Sequence, residues 1–126
     1  MERLRLKHQD AVKALSTFTE ILGEPYSVII RDASIQRFEY TFEAFWKYFK
    51  EYLKIKEGIM AASPKAVFRE LLAIQFVTEE QAVALLEMTD RRNDTVHTYK
   101  EAVAKIIYEK LQGYCQLMRG VLNIGC

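Results

Sequence analysis

The segment from Arg91 to Tyr99, with the sequence RRNDTVHTY, contains the residues best suited to chemistry. Arg92, His97 and Tyr99 follow the spacing R-x4-H-x-Y, and Asn93 lies between the first two. Histidine can transfer a proton near neutral pH, and arginine can stabilise a developing negative charge. We therefore predict a functional site in this segment.

A break in the helix is needed to bring Arg92 and His97 together. Residues five apart in a continuous helix differ by about 140° around its axis, so the two side chains could not share a face. Asn93 and Asp94 both terminate helices readily. We expect a helix to end there, so that Arg92 and His97 converge from either side of a short turn.

A second helix is expected to begin just after this break. Thr98 and Glu101 have the spacing of a capping box, in which the hydroxyl and the carboxylate each accept a hydrogen bond from a free backbone amide. Tyr99 would then open the next helix. The segment also permits a purely structural interpretation, in which an arginine caps a helix C-terminus and the histidine bonds to a nearby carbonyl.

The composition is that of an ordinary globular protein. Half of the 126 residues are hydrophobic, which is enough for a core, and we expect one domain covering 1–126. The formal net charge is only +1. This excludes the large positive field that drives tight binding to long nucleic acids, so any contact with RNA has to be local.

The N-terminal sequence MERLRLKHQD is charged and lacks a cleavage-site pattern, so we expect neither a signal peptide nor a membrane anchor. Cys115 and Cys126 lack the spacing of a disulfide framework or a zinc site, so we expect reduced thiols and a cytoplasmic protein. Asp90 and Asp94 could act as metal ligands, but aspartate at a helix end is usually a cap. We therefore predict no metal, no cofactor and no membrane association.

Apolar residues recur at helical spacing, and the chain has only five glycines and two prolines, so we predict an all-α protein. The fold expected is an antiparallel four-helix bundle with a short accessory helix. The five predicted helices run from about Glu2 to Leu22, Ser27 to Lys56 with a stop at Gly58, Pro64 to Ala73, Thr78 to Asn93 or Asp94, and Tyr99 to Leu122.

The long second helix has an unusually wide apolar surface. Phe38 lies in its inward row, and Trp46 and Tyr48 lie on either side, so that the apolar arc spans about 160° instead of the ~100° that one core face needs. These aromatic residues either pack against two neighbouring helices or line a homodimer interface. Both interpretations remain open on the sequence alone.

Three segments resemble the HEPN family, specifically its branch of nucleotidyltransferase substrate-binding proteins. RNDTVHTY resembles the R-x4-H-x-Y motif of the family, IQRFEYTFEAFWKYFKEYL its long second helix, and SPKAVFRELL its short middle helix. The segments occur in the family's order, and the resemblance covers almost the whole chain. It implies a helical bundle that forms a homodimer, with the motif near the dimer axis.

The resemblance also implies a function. Family members are typically encoded beside a minimal nucleotidyltransferase, and many such pairs act as toxin and antitoxin. The HEPN protein is then a metal-independent ribonuclease, which the nucleotidyltransferase silences by transferring AMP to the motif tyrosine. On this chain Arg92 and His97 would be catalytic, Asn93 a polar group of the site, and Tyr99 the AMP acceptor.

This chemistry agrees with the residue types. RNA cleavage needs a base, an acid and a cation, and a two-fold dimer would bring two copies of His97 and Arg92 to one cleft. The chain lacks the Gly-Ser and paired-aspartate signature of a nucleotidyltransferase, so we do not expect it to transfer nucleotides itself. The alternative function is a non-catalytic subunit that binds a nucleotide or another substrate for its partner enzyme.

Overall fold

The computed structural model describes residues 1–123, so Cys126 lies outside the described residues. Within them the chain has five α-helices, one π-helical turn, one 3-10 turn and no strand. The predicted all-α class is confirmed. The α-helices are α1 (Glu2–Leu22), α2 (Val28–Tyr52), α3 (Pro64–Ala73), α4 (Glu79–Asp94) and α5 (Glu101–Leu122).

Three of the predicted helix starts are confirmed by their caps. The hydroxyl oxygens of Ser27 and Ser63 each accept a hydrogen bond from the backbone amide three residues later, at 3.0 and 3.2 Å. Thr78 and Gln81 form a reciprocal capping box with two bonds of 3.0 Å. These bonds satisfy amides that have no partner inside the helix, which fixes where α2, α3 and α4 begin.

The end of the second helix also agrees with the sequence. α2 continues into a π-helical turn at Leu53–Glu57, and Gly58 ends it with a φ of 68°. Glycine adopts this left-handed conformation without the steric cost that a Cβ atom imposes. The helix therefore extends past Lys56 to Gly58 as predicted, with a wider last turn.

The predicted antiparallel four-helix bundle with an accessory helix is confirmed. α1, α2, α4 and α5 surround one core, and α3 packs against α2 and α4. Phe42 of α2 meets Phe68 of α3 edge-on at 6.2 Å, and Phe38 stacks on Tyr114 of α5 at 5.6 Å. The central row of α2 and its π-helical turn is almost completely buried and consists of Ile35, Phe38, Phe42, Phe45, Phe49 and Leu53.

On two outer helices, packing selects between consecutive apolar residues. α1 buries Ala11 and Ile21, whereas the neighbouring Val12 and Leu22 are only half-buried. On α5 Ile106 is 51% exposed, although the apolar pattern places it in the core. Where two consecutive residues are both apolar, the pattern leaves the rotation of a helix uncertain by one position, and contacts with neighbouring helices decide it.

The aromatic residues proposed for a dimer interface are used within the chain. Phe38 is fully buried and Trp46 is 9% exposed, while Tyr48 is half-buried with its ring 5.1 Å from that of His8 on α1. Phe38, one of the three residues predicted for the interface, has no exposed surface to offer a second copy, and its burial agrees instead with its predicted place in the inward row. Since neighbouring helices cover the wide apolar arc of α2, the arc does not argue for a dimer.

Candidate functional site

The helix break predicted within the motif is present. α4 ends at Asp94, a 3-10 turn follows at Thr95–His97, and α5 begins at Glu101. The buried hydroxyl of Thr95 lies 2.7 Å from the carbonyl oxygen of Arg92 and 3.1 Å from Glu39 Oε2 on α2. This hydroxyl holds the turn against the end of α4 and against α2.

The predicted capping box between Thr98 and Glu101 is not formed. Thr98 Oγ1 donates back to the 3-10 turn at 3.0 Å, and Glu101 accepts a hydrogen bond from Arg31 Nη1 at 2.5 Å. A bond between two charged groups is stronger than one from a neutral amide, so the carboxylate turns towards Arg31. Lys100 becomes the N-cap without a side-chain bond, and Tyr99 therefore lies before α5 and not in its first turn.

Arg31 is a buried anchor for this region. Its side chain is 5% exposed, and Nε lies 3.0 Å from Asp32 Oδ1 in addition to the bond with Glu101. These hydrogen bonds raise the pKa of the Arg31 guanidinium above its ordinary value, with the bond to Glu101 as the larger cause. The contact joins the start of α2 to the start of α5.

His97 and Tyr99 are both exposed on the turn. Their ring centroids lie 6.1 Å apart in an edge-on arrangement, and Tyr99 is 76% exposed. Lys100 Nζ lies 5.8 Å from the centre of the tyrosine ring. Both predicted site residues are therefore open to a ligand or to a partner protein.

Arg92 and Asn93 do not line the cleft beside His97. Arg92 Nη2 lies 3.5 Å from Glu43 Oε1 on α2, and Glu43 also lies 3.4 Å from Lys47. Asn93 is exposed on the last turn of α4. The motif is thus divided, with His97 and Tyr99 on the turn and Arg92 against α2.

A cleft of about 270 Å³ lies beside His97. Arg91 and Lys100 contribute two cations that the sequence analysis did not assign to the site. Their signal was a second arginine before the motif and a lysine directly after it, but spacing alone cannot decide which arginine faces the cleft. The remaining lining residues are Asp94, Val103, Ile106 and Ile107.

A second hollow, of about 300 Å³, lies beside Tyr99 and has the opposite character. Its charged residues are Asp32 and Glu39 of α2, and Ile35 and Thr98 complete the lining. Whereas His97 lines a cleft with two cations, Tyr99 lines a hollow with two carboxylates. The two motif residues therefore face different electrostatic surroundings although their rings are close.

The aspartates considered as metal ligands have cationic partners. Asp90 Oδ1 lies 2.7 Å from Lys65 Nζ, which lowers the pKa of the Asp90 carboxyl, and Asp94 Oδ2 lies 3.0 Å from Arg91 Nε. Among residues 1–123, no group of three or more His, Cys, Asp or Glu side chains is placed to hold a metal ion. None of the described helices is long and apolar enough to cross a membrane.

Two solved structures share this architecture. A protein from Thermus thermophilus is 48% identical, with a TM-score of 0.86 over 90% of this chain and 96% of that chain. A mutant of the toxin-antitoxin MntA-HpeT has a TM-score of 0.80 over 98% of this chain and 96% of that chain. Its identity is 15%, so that likeness shows a shared fold.

The family itself is identified from the sequence. No match was found among curated proteins. The sequence model of proteins described as nucleotidyltransferase substrate binding protein like matches residues 5–123, which is nearly the whole chain. This chain therefore belongs to the nucleotidyltransferase substrate-binding protein-like family, as its motif and its two characteristic helices predicted.

Proposed function

We propose that this protein is the HEPN-type partner of a minimal nucleotidyltransferase and acts as the ribonuclease toxin of a toxin-antitoxin pair, cleaving RNA without a metal ion. The main supporting observation is the exposed imidazole of His97 beside a cleft that contains Arg91 and Lys100. Membership of the family supports the proposal that the partner is a nucleotidyltransferase. The fold shared with MntA-HpeT agrees with a toxin-antitoxin pair.

The reaction requires two proton transfers at one phosphodiester. The RNA 2′-oxygen bonds to the adjacent phosphorus while the bond from phosphorus to the 5′-oxygen breaks. A base takes the 2′-hydroxyl proton, and an acid protonates the leaving oxygen. Neutral His97 serves as the base, and a protonated His97 from a second copy serves as the acid, because one imidazole cannot do both at once.

The motif arginine stabilises the negative charge that develops on the phosphorane oxygens. In the free protein, Glu43 lies 3.5 Å from Arg92, and both side chains are partly exposed. Ion pairs of this kind contribute little to stability. A substrate phosphate can therefore compete with Glu43 for the guanidinium, and Asn93 on the same turn adds a polar contact.

The first test uses the two histidines of the chain. Wild type, His97→Ala and His8→Ala are purified from a host without the partner enzyme, and cleavage of a mixed tRNA pool is followed in EDTA. Loss of a proton-transfer group is expected to slow cleavage by about 10²–10⁴-fold in His97→Ala, with His8→Ala close to wild type. Intact RNA with wild-type protein, when mass spectrometry shows an unmodified Tyr99, contradicts the ribonuclease proposal.

A mixing experiment tests the homodimer. If each site needs His97 from both copies, adding an equal amount of His97→Ala under subunit exchange leaves only about a quarter of the dimers active. Independent sites would retain activity in direct proportion to the wild-type chains. Light scattering gives the oligomeric state of both proteins, and activity that follows the linear relation argues against a composite site.

Tyr99 is proposed as the AMP acceptor. Its phenol oxygen bonds to the α-phosphorus of ATP, pyrophosphate leaves, and the phenol proton is released. The high exposure of the side chain gives a partner enzyme access. The attached phosphate is negative and bulky, so it would interfere with RNA beside Lys100. Tyr99→Phe is expected to keep cleavage activity and to become insensitive to the nucleotidyltransferase and ATP.

The alternative function is a non-catalytic subunit that binds a nucleotide or another substrate for the nucleotidyltransferase. The description of the family as substrate binding favours it, together with the same pair of cations in the cleft. Binding of RNA or nucleotide by wild type without any turnover, and weakened binding by His97→Ala, would support this function over cleavage.

A further inference from the structure

The cleft beside His97 is lined by both charged and apolar side chains. Arg91, Asp94 and Lys100 are its charged residues, and Val103 and Ile106 of α5 contribute apolar lining, called the α5 wall below. Ile106 is 51% exposed, so this wall is accessible from solvent. A volume of about 270 Å³ is near the lower limit of ligand sites, which suits one small unit with a charged group and a flat apolar face.

The guanidinium of Arg91 has a hydrogen-bond donor available for a ligand. Its Nε lies 3.0 Å from Asp94 Oδ2 but is buried without a hydrogen bond, so the two groups form a charge contact with poor alignment. A buried donor without an acceptor is costly, and a ligand that aligns with the guanidinium would remove this cost. The planar guanidinium is well suited to binding two oxygens of one phosphate.

Other acids on α4 do not cancel the charge of Arg91. Asp90 is paired with Lys65 at 2.7 Å, and Glu87 is paired with Lys110 at 3.2 Å. Of the carboxylates in residues 1–123, only that of Asp94 forms an ion pair with Arg91, and Lys100 contributes a further positive charge to the same cleft. With two cations and one carboxylate, the lining therefore favours a singly negative ligand such as a phosphodiester.

We propose that this cleft is a subsite for one nucleotide unit of single-stranded RNA, in which Arg91 binds the phosphate and the α5 wall contacts the base. Lys100 supplies the second cation, and the phosphodiester displaces Asp94 from the guanidinium. The choice of RNA rests on the function proposed above. Arg92, which is held by Glu43 outside the cleft, does not bind this phosphate.

Binding of an RNA that cannot be cleaved tests the subsite separately from catalysis. A fluorescein-labelled 2′-O-methyl oligoribonucleotide is titrated with wild type, Arg91→Ala, Arg91→Lys, Lys100→Ala and Ile106→Ser, and anisotropy is recorded in EDTA at several salt concentrations. Arg69→Ala is the matched control, because Arg69 is an exposed arginine on α3 outside the cleft.

We expect Arg91→Ala to weaken binding about tenfold and to lower the salt dependence by about one phosphate contact. Arg91→Lys should recover part of the affinity, Lys100→Ala and Ile106→Ser should weaken binding several-fold, and Arg92→Ala should have a smaller effect than Arg91→Ala. Circular dichroism and thermal unfolding verify that each variant is folded.

The proposal is overturned if folded Arg91→Ala binds the oligonucleotide as tightly as Arg69→Ala does. It is also overturned if Arg92→Ala weakens binding more than Arg91→Ala does. AMP and unlabelled oligonucleotide are also compared as competitors of the labelled probe. If AMP displaces the probe at the same concentration as the oligonucleotide does, the assignment to RNA is contradicted. Because this probe lacks the 2′-hydroxyl, the result does not depend on whether the protein cleaves RNA, and the two proposals can fail separately.

Discussion

Arginines at two places in the molecule have opposite surroundings. Arg31 is buried where α2 meets α5, with Asp32 and Glu101 as hydrogen-bonded partners. Arg91 and Arg92, at the end of α4, are 28% and 26% exposed, and each has one carboxylate nearby. In the part of the chain that the structure describes, the Nε atoms of both are buried without a hydrogen bond.

The difference separates a structural arginine from those available to a ligand. Hydrogen bonds to two carboxylates satisfy Arg31, so an incoming anion would gain little there. Arg91 and Arg92 each have an Nε donor that no acceptor among residues 1–123 satisfies. Arg91 lies at the edge of an open cleft, and Arg92 lies in a partly exposed ion pair. The motif region thus contains arginine donors that are free to bind a ligand, whereas polar groups in the interior of a bundle need partners within the protein.

Replacing Arg31 gives the largest effect on stability. Arg31→Ala is expected to lower the free energy of unfolding by about 2 kcal/mol, since two charge-assisted hydrogen bonds are lost, although the exposed carboxylates can still be hydrated. Chemical denaturation measures the change, with Arg69→Ala on α3 as the control. If both variants lose the same stability, Arg31 is not the anchor described here.

Removing the hydroxyl of Thr95 removes the hydrogen bonds that hold the 3-10 turn against α2 and the end of α4. Thr95→Val is expected to cost about 1 kcal/mol, because the buried hydroxyl no longer bonds to the end of α4 or to Glu39. Thr95→Ser keeps the hydroxyl and is the matched control. Equal unfolding midpoints for the two variants would show that this hydroxyl does not hold the motif turn.

Releasing Arg92 should affect binding more than stability. Glu43→Gln is expected to change the unfolding free energy by less than about 0.5 kcal/mol, because the ion pair is exposed, and to raise RNA affinity up to about threefold. Glu79→Gln is the control, since Glu79 lies about 20 Å from Arg92 along α4. A stability loss as large as that of Arg31→Ala would place Arg92 among the structural arginines.

The smallest effect on stability is expected for Glu87, a carboxylate on α4 that has hydrogen-bonding partners. The hydrogen bond from Tyr114, at 2.8 Å, and the contact with Lys110 lower the pKa of Glu87. Its stabilisation is therefore present above the ordinary glutamate pKa and is lost as the pH falls through the lowered value. Glu87→Gln should reduce the acid dependence of unfolding by no more than about 0.5 kcal/mol, because the carboxylate is half-exposed.

The unfolding free energies of Glu87→Gln and wild type are compared between about pH 5 and 3. If both depend on pH in the same way, this assignment is contradicted. Glu109→Gln is a suitable control. Glu109 is an exposed glutamate on α5, so its replacement should leave the acid dependence of unfolding close to that of wild type.

The sequence alone determined the helices and their approximate starts, the stop at Gly58 and the break within the motif. These features depend on groups within about four residues of one another and on the helical period, both of which can be read from the order of residues. The same local pattern was sufficient to recognise the family.

Only the tertiary structure decided how the site is arranged. The capping box at Thr98 is replaced because Arg31, 70 residues earlier in the chain, attracts Glu101. Phe38 is covered by other helices, and the rotation of α4 directs Arg91 to the cleft and Arg92 to Glu43. These outcomes depend on competition between partners distant in sequence, and local spacing contains no information about which partner lies nearest in space.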